Sequence, residues 1–119
     1  MNKNVRVILL NNSKEEYKKL NSIVGKQIEM GKNNTEEIQL LNSIKQKRDF
    51  IKENPFYGDN IPKNLIPKEY DVKNLWRVEL SGYWRMLYTI KGYQIEILCF
   101  VLDILDHPSY NKLFGYKKK

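Results

Sequence analysis

Apolar positions recur along the chain in two different periods, and the switch between them outlines a fold. Val5-Arg6-Val7-Ile8-Leu9-Leu10 is short and rich in β-branched residues, so it predicts a strand. Asn11-Asn12-Ser13 reads as a turn, and Ser13 with Glu16 three residues on has the form of a capping box. Tyr17, Leu20, Val24 and Ile28 then recur at helical spacing with Lys and Glu between them, which predicts a helix ending near Gly31. Asn33-Asn34 break the pattern. A second helix is expected from Thr35-Glu36-Glu37, with Asn34 as its cap and two acids suited to the helix dipole. Ile38, Leu41, Ile44 and Ile51 mark its apolar face. Pro55 stops it, because the residue before a proline is driven out of helical backbone. Two amphipathic helices with a short break form a hairpin that needs a sheet to pack on, and their lysine-rich outer faces read as solvated surface.

Asn54 to Asn74 has no period. It holds Pro55, Gly58, Pro62 and Pro67, yet Phe56, Tyr57, Ile61, Leu65, Ile66 and Tyr70 are scattered through it. That apolar content predicts an ordered connection packed on the domain rather than a linker, and long connections are often functional. A period of two then takes over. Leu75 to Leu80 places Trp76, Val78 and Leu80 on one face and Leu75, Arg77 and Glu79 on the other. After Ser81-Gly82, the run from Trp84 to Ile90 sets Trp84, Met86, Tyr88 and Ile90 against Arg85, Leu87 and Thr89. Beyond Lys91-Gly92, Ile95 to Leu105 is apolar on both parities, as in a central strand covered on both sides. His107-Pro108 ends that strand, Ser109 to Gly115 is expected to form one short helical turn, and the final lysines to fray. The expected architecture is α+β: an N-terminal strand, a helical hairpin, then a three-stranded antiparallel meander. Together these form one sheet with helices on one face, the other face being open and concave.

Composition narrows the picture. A chain of 119 residues fits a single domain, 1–119, able to bury a core without staples. One cysteine allows no internal disulfide, and Cys99 sits in an apolar run where a buried reduced thiol is expected. With one cysteine and one histidine no zinc site can be built from this chain alone, and no metal or cofactor is expected. Val5 to Leu10 is too short and too interrupted for a signal peptide, and no stretch has the length of a membrane span, so a cytoplasmic location is expected. Twenty-one Lys and Arg against fourteen Asp and Glu give +7, a charge that favours polyanionic partners. From His107 onward there are four lysines and no acid.

The alternation puts Arg77 and Arg85 on the same open face if both tryptophans point to the helices. Arginine is the side chain suited to bidentate phosphate contact. The competing reading pairs one arginine with Glu79 or Asp103 and spreads the other over apolar surface, and pattern alone slightly favours it. His107 and Tyr110, three apart, share a face on a helical turn. Histidine can act as general acid or base, and tyrosine can stack on a base or donate to a phosphate. A strand-end histidine and a tyrosine anchoring the tail are the plainer alternatives. There is no glycine-rich phosphate loop and no Ser-His-Asp spacing, and Asp103 with Asp106 resembles a strand edge and a turn rather than a catalytic pair.

Three stretches carry a family likeness: Leu75-Trp76-Arg77-Val78-Glu79-Leu80, Gly82-Tyr83-Trp84-Arg85-Met86-Leu87-Tyr88, and Asp106-His107-Pro108-Ser109-Tyr110-Asn111-Lys112-Leu113-Phe114-Gly115. They resemble the RelE/ParE superfamily of bacterial and archaeal toxins, and the order of elements agrees over the whole chain. The resemblance implies a RelE-like toxin of a type II toxin–antitoxin system, neutralised by an antitoxin segment that wraps it. It implies a ribosome-dependent mRNA endonuclease acting without a metal, by attack of a ribose 2′-hydroxyl on the adjacent phosphate. On that resemblance Arg85 is the phosphate-stabilising strand arginine and Arg77 lies near a second basic position. Tyr110 is the C-terminal tyrosine that stacks on substrate, and His107 lies where an acid–base residue is placed. Glu79 departs from the pattern by standing where active relatives look basic, and no arginine stands between Asp103 and Tyr110. The alternatives are a ParE-like gyrase inhibitor, which needs no His-Tyr chemistry, and an inactive module that only binds an antitoxin. The structural test of the nuclease reading is whether Arg77, Arg85, His107 and Tyr110 line one concave basic surface, and the reading fails if Arg85 lies under the helices.

Overall fold

The computed structural model describes residues 4–93 and 96–115. Ile95, at the start of the expected last strand, and the final lysines lie outside the described residues. The elements are β1 (Asn4–Leu9), α1 (Asn11–Glu29), α2 (Glu36–Glu53), β2 (Asp59–Asn60), β3 (Trp76–Glu79), β4 (Arg85–Gly92), β5 (Glu96–Leu105) and α3 (His107–Leu113). The strands make one sheet in the order β1-β5-β4-β3-β2. β1 lies parallel to β5, and the other pairs are antiparallel. After β1, at one edge, come α1 and α2; the chain returns to the sheet at the opposite edge and meanders back until β5 meets β1. Among the described residues, no helix is long and apolar enough to cross a membrane.

The alternation read in the sequence is the alternation of the sheet. Trp76, Val78 and Leu80 join Trp84, Met86, Tyr88 and Ile90 in the main core, against Leu20, Val24, Leu40, Leu41, Ile44 and Ile51 of the hairpin. Leu75 and Leu87 point to the opposite side, called here the back face. β5 serves both: Cys99, Val101 and Ile104 belong to the main core, Leu102 and Leu105 to the back. Val101 and Ile104 are three apart, which a period of two forbids. A β-bulge resolves it, since the register steps from Leu87↔Asp103 to Tyr88↔Val101 and leaves Leu102 as the extra residue. Cys99 is fully buried, and burial pushes its thiol up to about 11.

The structure corrects several boundaries. α1 starts at Asn11, so Ser13 is inside the helix and is not its cap. Its buried hydroxyl lies 2.8 Å from the Leu10 carbonyl and 2.7 Å from that of Val101, and accepts from the Leu10 N–H at 3.0 Å, tying the helix start to β5. The cap of α2 is Thr35, not Asn34: its Oγ1 accepts from the Ile38 N–H at 3.1 Å. Ile28 is exposed, so the apolar face of α1 ends at Val24. The connection from Asn54 to Asn74 is ordered, with Pro55, Ile61 and Pro67 buried, and it supplies β2, an edge strand the pattern did not reveal. Its first turn is pinned by Tyr88, whose hydroxyl donates to the Pro55 carbonyl at 2.7 Å and accepts from the Gly58 N–H at 3.0 Å. A Cβ on Gly58 would fall 2.8 Å from the Arg77 carbonyl, so the close approach requires glycine.

The back face is not open throughout, contrary to the expectation. Ile61, Leu75, Leu87 and Tyr110 form a second buried cluster, flanked by Ile66, Tyr70, Leu102, Leu105, Leu113 and Phe114. Its cover is the 54–74 connection and α3. That helix begins at His107 rather than beyond Pro108, because proline is well placed in a first turn, where its missing N–H is not needed. Asp106 caps it, accepting from the Ser109 N–H at 2.9 Å. Hydrogen bonds from Ser109, its side chain first and then its backbone, hold the Asp106 carboxyl below its ordinary value. A lowered folded-state value means that this stabilisation is present above the unfolded value of about 4 and is lost as the pH falls through the lowered one. Asp106→Ala is therefore expected to cost about 1 kcal/mol near neutral pH. The gap between the urea midpoints of wild type and variant should narrow on acidification. A gap unchanged by pH would show that the ionised cap is not what holds α3.

Candidate functional site

β3 and β4 bring two cations to the back face. Their register sets Glu79 opposite Arg85 and Arg77 opposite Leu87, so the arginines are diagonal neighbours. They lie away from α1 and α2, and both reach the ring of Tyr110 on α3. Arg77 Nη1 donates to the Tyr110 hydroxyl at 3.2 Å. The guanidinium carbons of Arg77 and Arg85 stand 6.0 and 5.5 Å from the ring centre, within cation–π range. Tyr110 is only 3% exposed and also packs on Phe114, with ring centres 4.6 Å apart.

Each arginine has a carboxylate beside it. Arg77 Nη2 lies 3.0 Å from Asp59 Oδ2, and Arg85 Nη2 lies 3.8 Å from Glu79 Oε1. Arg85 Nη1 also donates to the Tyr83 carbonyl at 2.7 Å and approaches that of Trp84 at 3.5 Å. The bond to Tyr110 raises the Arg77 pKa further, against desolvation and with help from Asp59, so its charge is secure. The Nε atoms of both arginines are buried without a hydrogen-bond partner. Arg77 keeps 29% of its side chain exposed and Arg85 12%. Asp59 and Glu79 are both mostly exposed, so water solvates the carboxylate side of each ion pair.

The structure thus gathers Arg77, Arg85 and Tyr110. His107 is exposed at the start of α3, its Nε2 3.2 Å from Asn111 Nδ2 and its ring 6.2 Å from that of Tyr83. Of the two carboxylates offered as arginine partners, Glu79 is one; Asp103 instead accepts a short hydrogen bond from the Tyr70 hydroxyl.

No family model matches the sequence, and no curated protein matches it. The architecture does find a match. It is similar to the solved structure of a YoeB/ParE toxin from Agrobacterium tumefaciens, with a TM-score of 0.56 over 86% of this chain and 98% of that one, at 16% identity. The chain shares the fold of that toxin. The expected α+β order is confirmed with it, enlarged by the edge strand β2.

A separate concavity lies beside the arginine cluster. A cleft of about 1240 Å³ opens on the back face between residues 69–74, β4, β5 and α3. α3 contributes Ser109, Lys112 and Leu113 to the cleft and Tyr110 to the arginines. Two participants escaped the sequence reading. Asp59 comes from the unrecognised edge strand. Tyr83, named only within the second family-like stretch and given no role there, has a left-handed backbone at φ 64 and a ring that is 75% exposed.

Proposed function

We propose that this protein is a RelE-like toxin of a type II toxin–antitoxin system that cuts mRNA on the ribosome and is neutralised by a cognate antitoxin. The observation that carries the reading is the pair of guanidinium groups gathered by Tyr110 on the back face of a toxin fold. Attack of a ribose 2′-hydroxyl on the adjacent phosphate concentrates negative charge on the phosphoryl oxygens. Two fixed cations at one place stabilise that charge without having to reorganise during the reaction. Arg77, the more exposed, takes the phosphate; Arg85 backs it and fixes the β3–β4 turn through the Tyr83 carbonyl. Tyr110 aligns the two cations, the role its burial permits. His107 at the rim moves a proton to or from the reacting oxygens, and Glu79 beside Arg85 is a second group able to accept one. The products are a 2′,3′-cyclic phosphate and a 5′-hydroxyl, and the reaction so written needs no metal. It takes place in the cytoplasm, where the ribosomes are.

One observation favours the ParE-like alternative: the contacts of His107 are with the Tyr83 ring and Asn111. Controlled expression with 5′-end mapping of cellular mRNA, beside a gyrase supercoiling assay, separates the two. The nuclease reading expects growth arrest, new 5′ ends inside translated codons, and unchanged supercoiling. Arrest with blocked supercoiling and intact mRNA would transfer the protein to the gyrase class. Absence of arrest would leave an antitoxin-binding module.

A further inference from the structure

We propose that the exposed ring of Tyr83, edged by His107, is a stacking platform for an RNA base next to the phosphate held by the arginines. The inference rests on the nuclease reading and deepens it. Tyr110, the ring the family resemblance assigned to stacking, is enclosed at 3% exposure between the arginines and Phe114, so a base cannot lie on it in this structure. Tyr83 has the opposite character. It is the most exposed of the large apolar side chains among the described residues, and it adjoins Arg85. Of the other exposed rings, Phe56 and Tyr57 pack toward Trp76 and Phe50 on the hairpin side of the sheet, and Tyr93 lies past the end of β4 against Lys91.

The ring is also held, not merely exposed. A tyrosine with positive φ is strained, and such strain persists only where the surroundings impose it. Here the turn is closed by the Leu80 N–H donating to the Trp84 carbonyl at 2.8 Å. The Tyr83 carbonyl accepts from Arg85 Nη1 at 2.7 Å. One guanidinium therefore fixes the aromatic residue and belongs to the phosphate site. The imidazole of His107 stands 6.2 Å from the Tyr83 ring at 57°, forming a corner rather than a closed stack and leaving the outer ring face free. An aromatic face beside fixed cations is the arrangement by which proteins hold single-stranded nucleic acid, the ring taking the base and the cation the backbone.

The test is binding of a short single-stranded RNA, blocked against cleavage by a 2′-O-methyl group at the scissile nucleotide, to the full chain by fluorescence anisotropy. Tyr83→Ala is expected to weaken binding about tenfold to a hundredfold. Tyr83→Phe and Tyr83→Trp should stay near wild type, and an abasic site at the stacked position should erase the difference between wild type and Tyr83→Ala. If the alanine variant loses the fold, Tyr83→Asn, which tolerates positive φ, replaces it. A wild type that binds and cuts RNA while Tyr83→Ala and Tyr83→Asn bind equally well would overturn the platform alone. A phenylalanine variant as weak as alanine would overturn it in favour of a hydroxyl contact. A variant that binds RNA normally but no longer arrests growth would overturn it in favour of a protein contact. A wild type that neither binds nor cuts RNA would overturn the platform together with the nuclease reading.

Discussion

Arg77→Ala is expected to lower the proposed mRNA cleavage about 10²–10³-fold while leaving the fold intact. The size follows from the role: removing one fixed donor from a developing oxyanion typically costs that much in rate. The fold should survive because what Arg77 loses is peripheral. Its partner Asp59 is exposed, and an exposed carboxylate released from an ion pair is simply hydrated. Its other partner, Tyr110, keeps Arg85 over its ring, the guanidinium carbon 5.5 Å from the ring centre. Arg85→Ala is expected to lose as much activity, but with a stability loss as well. It removes a 2.7 Å bond to the Tyr83 carbonyl and with it the restraint on a left-handed tyrosine. Arg77→Lys separates charge from geometry: lysine keeps the cation but cannot contact a phosphate bidentately, so an intermediate rate is expected. The measurement is single-turnover cleavage on programmed ribosomes, with urea midpoints in parallel. Cleavage by Arg77→Ala at the wild-type rate would remove that residue from the site.

The parts of this site that the sequence made legible are those governed by a local rule. Period-two alternation placed Arg77 and Arg85 on the face away from Trp76 and Trp84, because a strand's pleat fixes direction residue by residue. What lay hidden depends on partners remote in the chain. Tyr110 stays open between a stacking ring and an anchor for the tail until Leu75, just before β3, and Leu87 on β4 join it in one buried cluster. Asp59 belongs to a two-residue strand, too short to show any period, and becomes visible only once Arg77 is opposite it. The bulge at Leu102 shifts the parity of β5 within a run that is apolar at both parities, so nothing in composition marks it. Pro108 was misread for a different reason: proline signals both the end of one element and the first turn of a helix, and only the Asp106 cap decides between them. The Tyr83 conformation left a faint signal in Gly82, whose φ of 67 accounts for one residue of the turn but not for the second.

Leu87→Ala is expected to destabilise the protein by about 2–5 kcal/mol and, among molecules that remain folded, to slow cleavage. Leu87 is fully buried on the back face, opposite Arg77 on β3 and Asp103 on β5. Truncation opens a void within the cluster that seats Tyr110, and the cover there is a seven-residue helix. A helix that short has little stability of its own and depends on the face it docks. Loosening its seat lets Tyr110 shift, and the two guanidinium groups lose the ring on which they converge. Met86→Ala supplies the contrast. Met86 is the preceding residue of the same strand, also buried, but it points into the core under α1 and α2. Its truncation should cost a similar stability, about 2–5 kcal/mol, without changing the rate per folded molecule. Urea denaturation gives the first quantity for both variants, and single-turnover cleavage corrected for the folded fraction gives the second. Equal losses of corrected rate would mean that the arginine site responds to global stability; a loss confined to Leu87→Ala would show that the seating of Tyr110 organises it.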